Sequence, residues 1–180
     1  MPDADGLGAL ADLAGRSPAE LEAILKTAPP VPLDRLAGHL FHGMSLAMPA
    51  PLFALFGKFG KSFVADPATG ELVGWNTRMR QNGIDEAWSP LVVRGREVQY
   101  GKYRVAPHGA QSGQPYPGAL LIDYGRGGNR SWDPLGRVRD FIAAVDGTDG
   151  NVWLGRMYLA LGGRLVPTPS YFGLARGPAI

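Results

Sequence analysis

The chain has no cysteine, only three histidines and only four lysines among its 180 residues. Without cysteine there can be no disulfide, thiolate metal site or sulfur nucleophile. The histidines, His39, His42 and His108, show no His-Glu-x-x-His spacing and offer no recognisable third ligand. Neither a metal nor any other cofactor is therefore expected. A long apolar run is also missing. The longest uncharged stretch, residues 36–57, is broken by Gly38, His39, His42, Gly43, Pro49 and Pro51, so no membrane span is expected. The first five residues, Met1-Pro2-Asp3-Ala4-Asp5, are acidic where a secretory signal requires positive charge, which makes a cytoplasmic location the expectation.

A concentrated basic patch is absent as well. The 18 basic and 16 acidic residues give a net charge of +2. The basic residues occur singly or in pairs, and no zinc, helix-turn-helix or RNA-recognition signature accompanies them. Nucleic acid is not an expected partner. The charges are segregated instead. Up to Asp34 there are six acidic residues (Asp3, Asp5, Asp12, Glu20, Glu22 and Asp34) against Arg16 and Lys26. An acidic leader thus precedes a basic body, and the two should attract.

What the sequence has in quantity is glycine (26) and proline (16). Such a count disfavours a helical bundle. Four Trp, six Tyr, seven Phe and a 45% hydrophobic content supply a core, so a β-rich fold with many turns is favoured over disorder. Ser17-Pro18-Ala19-Glu20 is a capping box with Pro at the first helical position. It opens a helix carrying Leu21, Ile24, Leu25 and Ala28 on one face, stopped by Pro29-Pro30. An earlier helix would use Leu7, Leu10, Ala11 and Ala14, closed by Gly15. These segments make residues 1–34 a helical leader and 35–180 a single β-barrel domain.

Beyond Gly38 the hydrophobic period shortens towards two. Residues 61–65 and 72–80 flank the turn Asp66-Pro67-Ala68-Thr69-Gly70. In the second of these, Val73, Trp75, Thr77 and Met79 share one face, and Asn76, Arg78 and Arg80 share the other, which reads as the wet face. Further strands are expected over 91–93, 97–105, 119–124, 141–145, 152–161 and 171–175, with turn chemistry at 94–96 and 146–151. Eight or nine short strands without βαβ alternation indicate a sandwich or a closed up-and-down barrel. A helix over 48–59, with Leu52, Leu55, Phe56 and Phe59 at helical spacing, would lie across one mouth as a lid. Another helical turn is expected at 133–139. Residues 106–118, rich in Gly and Pro, read as a mobile loop.

The strands at 119–124 and 152–161 are apolar on both faces, which requires partners outside the barrel and core or ligand inside. His39, His42, Phe56, Lys58, Lys61, Trp75, Trp153 and Tyr158 are candidate ligand-binding residues. Lys58 and Lys61, placed just past the lid, are positioned to meet an acidic head group. The same aromatic and Met stripes also suit plain packing. Asp123 ends an apolar run, where burial would raise its pKa. With Tyr100, Tyr103 and Arg156 it forms a candidate acid/base set. A strand-end carboxylate that caps a turn or pairs with Arg is the competing reading. Gly125-Arg126-Gly127-Gly128-Asn129 lacks the Lys-Ser/Thr of a phosphate loop and reads as a turn.

Several stretches resemble a bacterial family named for a Gly-x-Trp-x-Gly motif joined to a domain of unknown function. They are Ala119-Leu120-Leu121-Ile122-Asp123-Tyr124, residues 133–145, Val152-Trp153-Leu154-Gly155-Arg156 and Tyr171-Phe172-Gly173-Leu174. Residues 39–43 and Gly60-Lys61-Ser62-Phe63 fit its first part. The sequence departs from the family pattern where Phe41 replaces Trp, His39 replaces the first Gly, and Asp123-Tyr124 reverses a Tyr-Asp pair. The resemblance implies a lipocalin-like barrel and brings no established activity. The expectation is therefore a mainly β, antiparallel lipocalin-like β-barrel with a helical leader, binding a hydrophobic small molecule such as a lipid or polyketide-like compound. The alternatives are a metal-independent cyclase or isomerase using the same cavity, or a structural module whose leader makes contact in a homo-oligomer.

Overall fold

In the computed structural model, residues 4–47, 57–83, 86–107, 109 and 113–180 are described. Helices α1 (Ala4–Ala14) and α2 (Pro18–Thr27) come first. They are followed by strands β1 (His39–Ala47), β2 (Lys58–Ala65), β3 (Leu72–Arg78), β4 (Val92–Val93), β5 (Arg96–Glu97), β6 (Gln99–Ala106), β7 (Leu120–Asp123), β8 (Val138–Ala144), β9 (Val152–Leu161) and β10 (Arg164–Ala179). The strands other than β4 and β5 close into an eight-stranded antiparallel barrel. Each barrel strand pairs with its neighbour in the chain, and β1 pairs with β10 to complete the ring. Closure leaves no unpaired barrel edge. The expected mainly β, closed antiparallel barrel is the observed fold.

Alternation along the strands builds two cores. The inner one contains Phe41, Phe63, Ile122, Ile142, Trp153 and Leu174. At one end it is packed solid. There the Trp153 indole donates to the Gly150 carbonyl at 2.8 Å, and Leu36, which caps the 3-10 turn Leu33–Arg35, is fully buried. The second core lies outside the barrel wall, where Leu10, Leu13, Leu21 and Leu25 of the two helices pack on Met44, Phe141 and Leu154. Each fully buried leucine contributes roughly 1.5–3 kcal/mol. This accounts for strands apolar on both faces: one face meets the inner core, the other meets the helices.

The capping box of α2 forms as expected, with Glu20 accepting from the Ser17 backbone at 2.8 Å. In α1 the buried face runs through Leu10 and Leu13, whereas Ala11 and Ala14 are exposed, because a leucine outweighs an alanine in choosing the buried side. The charge segregation is realised at one point. Glu22 of α2 accepts from Arg156 at 2.6 Å, Tyr116 at 2.7 Å and Tyr171 at 3.0 Å on the barrel wall. Burial works against the Glu22 carboxylate, but those hydrogen bonds and the Arg156 charge outweigh it and hold its pKa below 4.5.

Three expectations need correction. Of the expected lid helix, residues 48–56 lie outside the described residues, and Lys58 and Phe59 at its end belong to strand β2. Their side chains follow the period of two that runs on through Lys61 and Phe63. In β3 the polar face is the inner one: Asn76 is buried opposite Lys61, while Trp75 lies outside, because a charged interior partner draws the amide inward. Tyr116, within the expected mobile loop, is fully buried against the wall. The helical turn expected near residue 135 is present as the 3-10 segment Pro134–Arg137.

Candidate functional site

The end of the barrel opposite Trp153 is hollow. A cavity of about 230 Å³ lies between Phe59 of β2, Tyr100 of β6, Val138 of β8, Met157 of β9 and Phe172 of β10. Two glycines make room for its aromatic walls. A Cβ on Gly43 would stand 2.2 Å from the Phe59 ring, and one on Gly155 would stand 2.2 Å from the Phe172 ring. The two rings meet edge to face, 5.9 Å apart.

The cavity floor is polar. Lys61, only 2% exposed, donates from Nζ to Asn76 Oδ1 at 3.0 Å, Tyr124 Oη at 2.5 Å and Asp140 Oδ2 at 3.2 Å. An ammonium has three N–H bonds, and here each has an acceptor. The Tyr124 hydroxyl donates in turn to Asp140 Oδ2 at 3.1 Å, and Asn76 Nδ2 donates to the Gly101 carbonyl at 3.3 Å. Burial pushes the Asp140 pKa up against the pull of Lys61, and burial pushes Lys61 down against the pull of Asp140. Both hydrogen bonds to the Asp140 carboxylate fall on Oδ2, so Oδ1 has no such partner among the described residues. The Tyr100 hydroxyl likewise has none, and burial raises its pKa to about 12, keeping it a neutral donor.

Lys61 and Tyr100 thus come together at the cavity, and Tyr103 stands just behind. Its ring packs on Tyr124 at 5.3 Å, and its hydroxyl donates to the Ser62 carbonyl at 3.0 Å. The remaining candidates are elsewhere. Asp123 is outside the barrel, accepting from the backbone of Gly125 at 2.8 Å and pairing with Arg139 at 3.1 Å, so neither Arg156 nor Tyr100 is its partner. Arg156 and Tyr158 face the helices, and Trp153 fills the solid end. His39 packs edge-on against Phe41. His42 and Trp75 line a groove on the outer wall, where His42 stacks on Trp88 at 5.1 Å. Lys58 is also outside; its ammonium reaches Asn82 Oδ1 at 2.8 Å and lies 4.5 Å over the Trp88 ring. Phe56 lies outside the described residues. With Lys61 paired to Asp140 and Lys58 turned away, the cavity has no uncommitted lysine for the acidic head group expected from the sequence.

Asp140, Asn76 and Tyr124 are the site residues that sequence reasoning missed. The available signal was a pair of lone charges on otherwise apolar faces: Lys61 between Phe59 and Phe63, and Asp140 between Val138 and Ile142. Opposite lone charges on inward faces are expected to find each other. Among the described residues no three His, Asp or Glu side chains gather as a metal site, and no helix is long and apolar enough to cross a membrane.

The fold and the site define a closed up-and-down barrel, solid at one end and hollow at the other, with a neutralised ion pair on the cavity floor. No protein-family model matches the chain, and no curated protein is detectably similar to it in sequence.

Proposed function

We propose that the protein binds a small, neutral, largely apolar molecule in the barrel cavity. The observation that carries this reading is a mostly apolar cavity whose polar floor has zero net charge and offers Tyr100 as a donor with no partner among the described residues. The two charges that line the cavity, Lys61 and Asp140, already cancel, so an ionised ligand would be desolvated against a lining with no net charge. A carbonyl or hydroxyl costs little when Tyr100 and Asp140 Oδ1 can meet it. The volume equals about eight waters at ~30 Å³ each. That favours a compact ring compound over a long acyl chain. Kinship with the Gly-x-Trp-x-Gly family is proposed alongside, resting on the stretch Gly60-Lys61-Ser62-Phe63, whose lysine is the one on the cavity floor.

Native mass spectrometry after incubation with a panel of compact neutral ketones and terpenoid alcohols tests the reading. The expected result is a one-to-one adduct that disappears in Val138→Trp, where the new ring fills the cavity. An adduct that survives Val138→Trp, or no adduct with any of the panel, contradicts it.

A further inference from the structure

We propose that the cavity is a site of proton transfer, in which Asp140 and Tyr100 isomerise a neutral β,γ-unsaturated ketone to its conjugated isomer. The inference rests on the binding reading and adds the chemistry and the substrate class. Lys61 is no candidate for imine formation, since its three N–H bonds are all engaged by protein acceptors. Asp140 Oδ1, an acceptor, and the Tyr100 hydroxyl, a donor, have no hydrogen-bond partner among the described residues, and Ser170 also lines the cavity. Asp140 and Tyr100 stand on β8 and β6, the strands that flank β7, and both residues line the cavity. A carboxylate and a phenol in one largely apolar cavity are the two parts that enolisation requires: a base for the carbon acid and a donor for the developing oxyanion.

The step balances within the substrate and these two residues. Asp140 Oδ1 takes a proton from the carbon between the carbonyl and the alkene. That C–H bond breaks, its electron pair enters the carbonyl system, and negative charge gathers on the oxygen held by Tyr100. Asp140 then returns the proton to the far alkene carbon, and the double bond shifts into conjugation. No oxidant, reductant or cofactor is consumed. Lys61 and Tyr124 are positioning residues: both donate to Oδ2, which leaves Oδ1 without a hydrogen bond among the described residues. Burial adds basicity to the carboxylate and keeps the Tyr100 phenol protonated.

The test uses 3-cyclohexen-1-one with the full chain. Binding is read from the NMR shift of the Met157 methyl, which lines the cavity, and turnover from the growth of conjugated-enone absorbance. The wild type is expected to bind and isomerise the probe. Asp140→Asn should lose about 10²–10⁴-fold of the acceleration. Tyr100→Phe should lose about 10²-fold with binding retained; it sacrifices no hydrogen bond among the described residues, so it keeps the test valid even where Asp140→Asn folds poorly. Binding without isomerisation, or turnover unchanged in Tyr100→Phe, overturns the inference and leaves the binding reading standing. A Met157 methyl that does not respond removes both.

Discussion

Lys61 and Asp140 are buried ion partners in an apolar barrel, and stability alone gives little reason to keep them. Well-packed apolar residues in place of a buried pair are often neutral or stabilising by about 1–4 kcal/mol, whereas removing one partner costs about 3–5 kcal/mol. Lys61→Met should therefore lower stability by about 3–5 kcal/mol, and Lys61→Met with Asp140→Leu should recover most of it while losing ligand binding. Urea denaturation of the two variants checks this. A double variant as unstable as the single one would make the pair structural. His42 gives a residue-scale prediction of another kind. Burial above all, with nearby positive charge that includes Lys58, lowers its pKa from 6.5 to about 4. Trp88 stacks on it, and Lys58, over the same Trp88 ring, is a charged group beside it. Between those two values the unfolded chain binds the proton and the folded one does not, so stability falls as pH drops from 6.5 towards 4. The full loss is on the order of 3 kcal/mol. His42→Phe should flatten that part of the stability–pH curve; a slope unchanged from wild type would show that His42 is not its source. Lys61 was legible as a candidate binding residue, though for an acidic head group, where the structure gives it the buried carboxylate of Asp140. Asp140 carried a signal, a lone charge between Val138 and Ile142, but it fell between the helical turn expected to end at 139 and the strand expected to begin at 141. Only the register across β7 and β8 turns it inward, and sequence alone does not give register.

At the scale of elements, glycines decide where the cavity is. Gly43 on β1 and Gly155 on β9 let the Phe59 and Phe172 rings lie flat across the neighbouring strands instead of projecting into the space. In Gly155→Ala the new methyl would meet the Phe172 ring at 2.2 Å. The ring must then swing inward, at a cost of about 1–3 kcal/mol. The expected outcome is lower stability together with loss of the ligand adduct, read by thermal denaturation and native mass spectrometry. An unchanged adduct would show that Phe172 yields in some other direction. The capping box of α2 was legible because it depends on neighbours within four residues. The orientation of β3 was not. Its apolar stripe of Val73 and Trp75 looked like a core face, yet Lys61 on β2 draws Asn76 inward, and that contact spans 15 residues. Of the two readings of Asp123, the strand-end carboxylate that caps a turn and pairs with Arg is the observed one: the Gly125 and Arg126 backbone at the following turn and Arg139 across the ladder take it up.

The whole molecule is a barrel with two differently used surfaces. The outer wall over β1, β8, β9 and β10 is dressed by the acidic leader, and Glu22 locks it there through Arg156, Tyr116 and Tyr171. The inner surface is solid around Trp153 and hollow around Lys61. The antiparallel barrel was legible because turn residues recur between short alternating strands, and closure follows from the β1–β10 pairing. The cavity was not legible, since the same aromatic stripe fills one end and walls a space at the other. The central claim is that this space takes up a neutral apolar molecule. Titration of 2-decalone into the protein, followed through the methionine methyl resonances, tests it most directly. The account predicts a saturable one-to-one shift of the Met157 methyl, little change at Met44 and Met79 on the outer wall, and no Met157 response in Val138→Trp. Shifts confined to Met44 or Met79, or an unresponsive Met157, would contradict it.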